Sequence, residues 1–475
     1  MIQLVRDGVR WQCQPAFAEQ LDRLLADPGL VTRKSHAKLI TKHELEGVTF
    51  YVKHYINSEV PGRPLKYFFK PSPARHEWEM ALQIENCGVP IVRHLAYGER
   101  WSLGGLQESI LITEGFDGLT LVDIPHQQSP ETQAGLGKFL RLNHDRGALQ
   151  RDLQRNILVH SDPLEFRRVD VYHAVVKAEV TEDERRENLA LLSATVPLRD
   201  EFFAAYGWTP VQAGLTRQRA DDIRRSRHYS RSDRCLKRNS EFSSERIGGL
   251  KWHARKRFLS EQVRTLLADP EQWLRTRARL FKGFERSSTV GAGDGVVLKR
   301  YNFKKPGNLL KDLFRPSRAL QAYRKAHHLE LMKIASPRPI AAAERRWGRI
   351  LITSYLVTEE IPEARDLGAY LSSVSRPDRN VIRQIAQLIG RLHEEGFSHR
   401  DMKETNLLLD GNLKPFLIDL DGLKFLHRIP EARAAADLER LARAAAKYSC
   451  VTRLDRMQFL REYCRARRLA RVPKL

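Results

Sequence analysis

Apolar positions along this chain recur with two different periods, and each period predicts a different element. In Val381-Ile382-Arg383-Gln384-Ile385-Ala386-Gln387-Leu388-Ile389 they recur at three and four residues, which predicts a helix with one buried face. Short β-rich runs, Leu407-Leu408-Leu409 and Phe416-Leu417-Ile418, flank Asp410-Gly411-Asn412 and predict a hairpin. Farther upstream, two apolar strands each lead to a lysine: Val48-Thr49-Phe50-Tyr51-Val52-Lys53 and Val296-Val297-Leu298-Lys299. The glycine cluster Gly291-Ala292-Gly293-Asp294-Gly295 lies so close before Lys299 that it predicts the hairpin joining a second strand to a third. No apolar run approaches the roughly 20 residues that cross a bilayer. The first residues lack the basic-then-apolar order of a signal peptide, so a cytoplasmic protein is expected.

The pattern occurs twice. Asn143-His144-Asp145-Arg146-Gly147-Ala148-Leu149-Gln150-Arg151-Asp152 parallels Leu392-His393-Glu394-Glu395-Gly396-Phe397-Ser398-His399-Arg400-Asp401. Asn156-Ile157-Leu158-Val159 then answers Asn406-Leu407-Leu408-Leu409, and Val169-Asp170 answers Ile418-Asp419. The step between the two aspartates is 18 residues in both halves, and the steps from lysine to first aspartate are 99 and 102. Downstream, Glu187-Asn188-Leu189 resembles Ala436-Asp437-Leu438. This is a tandem duplication of α+β class, each copy a small β-rich lobe followed by a larger helical lobe. The expected domains are residues 1–238 and 239–475, with the boundary in the polar stretch from Arg231-Ser232-Asp233 to Gly248-Gly249.

The second half carries the most informative segment, His399-Arg400-Asp401-Met402-Lys403-Glu404-Thr405-Asn406, followed by Ile418-Asp419-Leu420-Asp421. A loop of the form H-R-D-x-x-x-x-N supplies an aspartate to accept a hydroxyl proton and an asparagine to hold a metal, and an aspartate after the next strand supplies the main Mg²⁺ ligand. Asp401 is therefore the candidate base, and Lys403 the side chain that reaches a γ-phosphate. Asn406 and Asp419 are the candidate Mg²⁺ ligands, and Lys299 grips the α- and β-phosphates. The pattern points to phosphoryl transfer from ATP in a bilobal, protein-kinase-like fold, where position and charge do most of the chemistry. The phosphate-covering loop is expected at Lys282 to Ser288, with Ser287 and Ser288 as candidate contacts. No G-x-x-x-x-G-K-[ST] segment occurs, which excludes a P-loop enzyme. His399 is read as a brace for the loop, and Asp421 as a turn cap.

The halves differ in what they lack. The first keeps Lys53 and has Glu77 placed 24 residues later, where a helix glutamate would pair with the lysine. Its loop holds Asp152, Asn156 and Asp170, but Gln150 stands for the histidine and Gln154 for the lysine. Asn156 also comes one residue early, which moves a metal ligand by up to about 3 Å. The second half has intact loop residues but no acid in Leu320-Gln321-Ala322-Tyr323-Arg324, where Glu77 has its counterpart. The second half is therefore the expected catalyst.

Charge adds a partner. Among 475 residues, 81 Lys plus Arg face 58 Asp plus Glu, a net +23. Such an excess suits a polyanion, either a phosphorylated substrate or an anionic membrane face. Arg217 to Arg238 holds nine basic residues against three acids, and the terminal segment from Arg453 is also Arg-rich. Nucleic acid has only this charge in its favour and is not expected. Five scattered cysteines, with no C-x-x-C pair, suggest reduced thiols.

Only 56 residues follow Asp419, too few for the activation segment and helices that hold a peptide substrate, and Asp419-Leu420-Asp421 is not D-F-G. A small or glycan hydroxyl is the favoured acceptor. On these residues the chain resembles the lipopolysaccharide kinases of the Kdo/WaaP type. In the first half the likeness rests on Val52-Lys53, Glu77-Trp78, Arg151-Asp152 and Val169-Asp170. In the second it rests on Leu298-Lys299, His399-Arg400-Asp401, Asn406 and Ile418-Asp419-Leu420-Asp421, and it extends to the closing run Thr452 to Leu460. The resemblance implies ATP-dependent phosphorylation of a heptose or Kdo hydroxyl of the lipopolysaccharide core glycolipid, at the inner face of the inner membrane. Two other readings stay open: an aminoglycoside-type small-molecule kinase, and a pseudokinase-type scaffold in lipopolysaccharide assembly.

Overall fold

The computed structural model describes residues 1–35, 38–57, 65–124, 129–283, 287–302 and 315–469. The chain forms two compact units, Met1–Arg224 and Arg225–Leu475. The division falls inside the helix Pro210–Ser232 rather than after Arg238. The end of that helix packs with the second unit: Tyr229 stacks on Phe425 with ring centroids 5.1 Å apart, and Arg324 Nε donates to Ser232 Oγ.

The first unit opens with a seven-stranded antiparallel sheet in the order Ile2–Arg6, Val9–Cys13, His94–Ser102, Gly105–Glu114, Val48–Ile56, Lys38–Leu45, Leu30–Ser35. Alternation along Val48–Ile56 sends Phe50 and Val52 into the core shared with Trp11, Phe17 and Ile112. The helix Pro73–Asn86 lies on the opposite face. Ser72 caps it by accepting from Arg75 N, and proline fills its first turn. Beyond the sheet come the helices Pro130–Asp145, Glu182–Ser193 and Asp200–Tyr206, which enclose Leu136, Leu140, Leu189, Phe202 and Phe203.

The second unit repeats the plan. Its sheet runs Phe242–Ile247, Leu250–Arg255, Pro339–Trp347, Ile350–Glu359, Val296–Tyr301, Ser288–Gly293, Arg279–Lys282. The glycine cluster forms the expected hairpin, with Asp294 and Gly295 turning between the strands that carry Gly293 and Val296. Gly248-Gly249, read from sequence as part of a boundary, is instead the turn of the first hairpin, with both residues at positive φ. A Cβ on Gly248 would come within 1.9 Å of Ala268 O, so the turn needs glycine for space as well as conformation. The strand Phe242–Ile247 thus lies inside the stretch read as a boundary, and Leu250–Arg255 follows it directly. Both lysine strands also run past their lysines, to Ile56 and Tyr301.

The predicted amphipathic helix is Arg379–Glu394, which buries Val381, Ile382, Ile385, Leu388 and Ile389. It packs against Arg453–Ala466 so closely that a Cβ on Gly390 would meet Ala466 Cβ at 2.6 Å. Each unit is therefore a sheet-rich lobe followed by a helical lobe, the α+β arrangement expected.

Ile389 is fully buried in the helical core of the second unit. Ile389→Ala should lower unfolding stability by about 2–5 kcal/mol, read as a lower urea midpoint at unchanged slope.

Candidate active site

The second unit gathers the predicted residues through two short elements. A hairpin of Leu407–Leu409 and Pro415–Leu417, turned at Asp410-Gly411-Asn412, delivers Asp419 just past its second strand. Asp419 is left-handed (φ 54, ψ 58), which turns the chain sharply into Leu420–Gly422. His399 Nε2 donates to Asp419 O at 3.1 Å, so the histidine braces this turn, as expected. Burial pushes its pKa down, which keeps the ring neutral and leaves the donor tautomer intact. Ile418 N donates to Asn406 O at 3.0 Å and ties the turn to the loop.

Around this frame, Lys299 Nζ lies 2.7 Å from Asp419 Oδ1, and Lys403 Nζ lies 2.7 Å from Asp401 Oδ2. Asn406 Nδ2 donates to Asp401 O at 2.7 Å, with Asp401 Oδ2 at 3.4 Å. Burial would raise the pKa of Asp419, but the Lys299 ammonium outweighs it and holds the carboxyl below its ordinary value. Lys299, Asp401, Lys403, Asn406 and Asp419 thus form one connected set. Among the described residues no group of three or more His, Cys, Asp or Glu gathers to hold a metal. The oxygen donors at this place are a carboxylate and an amide, which suits a hard cation arriving with phosphate oxygens. Ser288 is buried in its strand opposite Tyr301, leaving Ser287 at the edge of the turn; Phe284, Glu285 and Arg286 lie outside the described residues.

Three contributors went unassigned or underrated in the sequence. Asp421, read as a turn cap, receives Lys299 Nζ at 3.3 Å and the Tyr301 hydroxyl at 2.8 Å. Lys325 Nζ donates to the carbonyls of Leu420 and Asp421 at 3.1 and 3.2 Å. Asp437, fully buried, accepts from Ser398 Oγ at 2.7 Å and from His399 N at 2.9 Å, and so fixes the loop from behind. Its only trace in the sequence was the downstream match to Asn188.

The first unit assembles a related set. Lys53 Nζ donates to Glu77 Oε1 at 2.6 Å and to Asp170 Oδ1 at 3.3 Å, and the Tyr55 hydroxyl donates to Glu77 Oε2 at 2.8 Å. Burial opposes both charges of the lysine–glutamate pair. Each nevertheless stabilises the other, so Lys53 lies above its ordinary value and Glu77 well below. Asp170 is left-handed like Asp419, and Val169 N donates to Asn156 O as Ile418 N does to Asn406 O. Gln150 is not the defect it looks. Its Nε2 donates to Asp170 O at 3.0 Å, reproducing the histidine brace, and also reaches Asp152 Oδ1 at 3.3 Å. A further cation, Lys38, stands 3.8 Å from Asp170.

Both loops are held by the same relay. In the first unit the Tyr206 hydroxyl contacts His144 Nδ1 at 2.6 Å, His144 Nε2 contacts Asn188 Oδ1 at 2.9 Å, and Asn188 Nδ2 donates to Gln150 O at 2.7 Å. In the second, Tyr463 contacts His393 Nδ1 at 2.7 Å and His393 Nε2 lies 3.5 Å from Asp437. The Arg-rich stretch after Arg217 is partly spent on internal pairs, since Arg217 meets Asp200 and Arg219 meets Glu187. No described helix is long and apolar enough to cross a membrane.

Burial pushes the His144 imidazole down to about 4 from an ordinary 6.5, against the opposing bond from Asn188. Between those values the unfolded chain takes up a proton that the folded unit refuses, so stability falls as pH drops through this window and levels off below it. The loss should reach up to about 3 kcal/mol. His144→Gln should flatten the melting temperature against pH over the same range, as followed by fluorescence.

Residues 271–463 match the family described as lipopolysaccharide kinase (Kdo/WaaP). The chain is 31% identical over 134 residues to a 3-deoxy-D-manno-octulosonic acid kinase of Vibrio cholerae, covering 28% of this chain and 55% of that protein. It is also 31% identical over 155 residues to one from Stenotrophomonas maltophilia, covering 32% and 59%. The chain thus spans little more than half the length of these curated relatives. A solved structure of WaaP in complex with acyl carrier protein aligns at 19% identity and a TM-score of 0.34, over 45% of this chain and 99% of that one. Through residues 271–463, which hold Lys299, Asp401, Asn406 and Asp419, the second unit carries a match to the lipopolysaccharide kinase (Kdo/WaaP) family.

Proposed function

We propose that the second unit transfers the γ-phosphoryl group of ATP to a hydroxyl of a lipopolysaccharide core sugar, Kdo or heptose. The observation that carries this reading is the connected set of Lys299, Asp401, Lys403, Asn406 and Asp419 in one unit. The family match over the same residues, and relatives named as 3-deoxy-D-manno-octulosonic acid kinases, support a sugar acceptor.

In this reading Asp401 orients the acceptor hydroxyl and takes its proton as the oxygen attacks phosphorus. Lys403, now against Asp401, swings to the γ-phosphate and offsets charge on the transferring group. Lys299 holds the α- and β-phosphates. Asp419 and Asn406 would hold Mg²⁺, which would supply positive charge against the phosphates. The first unit keeps its lysine–glutamate pair but has Gln154 in place of a loop lysine. We assign it nucleotide binding without transfer, the pseudokinase-type role. Leu454 and Met457, each 67% exposed on the Arg-rich helix Arg453–Ala466, support a peripheral position at an anionic membrane face in the cytoplasm.

Purified protein incubated with ATP, Mg²⁺ and dephosphorylated core lipopolysaccharide should add one phosphoryl mass to the glycolipid. Asp401→Ala should reduce the rate by about 10²–10⁴-fold, while Asp152→Ala leaves it within a factor of about two. A wild-type chain that leaves the glycolipid mass unchanged defeats the proposal, and the opposite ranking of the two variants moves catalysis to the first unit.

A further inference from the structure

We infer that Asp421 is the positioning partner of Lys299, taking over the work that a helix glutamate does in the first unit. The two units supply their own comparison. The helices Pro73–Asn86 and Arg318–Leu331 are both 14 residues long, and both begin after a capping serine, Ser72 and Ser317. Counting from those caps sets Glu77 opposite Ala322, which is buried and carries no charge. Lys53 and Tyr55 pair with Leu111 and Ser109 on the neighbouring strand, as Lys299 and Tyr301 pair with Leu356 and Ser354, so Lys53 matches Lys299 and Tyr55 matches Tyr301.

In the first unit the lysine and the tyrosine each take one oxygen of the Glu77 carboxylate. In the second the same pair of donors takes the two oxygens of Asp421: Lys299 Nζ on Oδ2 and the Tyr301 hydroxyl on Oδ1. Two donors at matching positions meet one carboxylate in each unit, but the carboxylate comes from different parts of the chain. The residue matching Asp421 in the first unit is Tyr172, whose ring lies edge-on to His76.

A second exchange completes the swap. The helix position of Lys325 corresponds to Met80 in the first unit. Lys325 donates to the backbone of Leu420 and Asp421, so the helix that lost its acid has gained a cation that grips the turn carrying the new one. A lysine with a single carboxylate partner would surrender it whenever Asp419 turned to another cation. Asp421 keeps the ammonium aimed while Asp419 is engaged elsewhere. This role rests on the proposed kinase reading, but the pairing itself does not.

The experiment uses the full chain and two readouts. Acetylation of Lys299 by acetic anhydride, followed by peptide mass spectrometry, reports the pairing without any substrate. The kcat and the KM for ATP report its use. Asp421→Asn should raise Lys299 acetylation severalfold and lower kcat/KM for ATP at least tenfold, with an unchanged melting temperature. Adding Ala322→Glu to that variant should restore most of both, because it rebuilds the arrangement of the first unit. Should the doubly substituted chain melt early, Asp421→Glu serves instead and should stay near wild type in both readouts. Acetylation within twofold of wild type in Asp421→Asn overturns the inference. So does a lost activity that neither carboxylate variant restores while the Mg²⁺ requirement rises, since Asp421 would then be a metal ligand. A wild-type chain with no kinase activity but the expected acetylation pattern would instead sink the proposed function and leave the pairing standing.

Discussion

A lysine ammonium taken out of water and given a carboxylate in return is the constraint around which each unit is built. Leaving a buried ammonium unpaired costs several kcal/mol, more than any single contact in the surrounding sheet contributes. The lysine strand is interior in both seven-stranded sheets, flanked on each side by antiparallel neighbours that fix its register. In the first unit the helix packed over it brings negative charge to that point, and in both units the left-handed aspartate beyond the small hairpin does so. Once that pair is closed, the loop residues have only to be held in reach of it.

Their hold is indirect. Each loop is held from behind as well as by its own side chains: a buried Asp437 or Asn188 accepts or donates from behind, and the loop's own histidine or glutamine bonds the carbonyl of the turn aspartate. The two units reach one geometry with different residues. Gln150 and His399 share a task because each offers an N–H at the right distance, and what a ring supplies in one case an amide supplies in the other. Letters alone make the first loop look more damaged than its backbone is. The absence of a loop lysine at Gln154 is a real chemical difference, because an amide carries no charge to set against a phosphate.

Periodicity and spacing made the large features legible. The helix at 379–394, the hairpin at 407–417 and the two lysine strands all follow from local alternation, and the duplication follows from equal steps between aspartates. Lys53 lies against Glu77, Asn406 against Asp401 and Lys299 against Asp419. What stayed hidden was long-range. Asp421 looked like a turn cap because nothing nearby in sequence shows that Tyr301 and Lys299 come to it across 120 residues or more. Gly248-Gly249 looked like a linker because a tight hairpin and a domain boundary favour the same small, polar residues.

The relay from Tyr463 through His393 to Asp437 gives the last described helix a part in holding the loop. Ser398 and His399 sit on Asp437, Asp437 faces His393, and His393 leans on a tyrosine of the helix Arg453–Ala466. A substitution at that tyrosine would therefore loosen the loop without touching it.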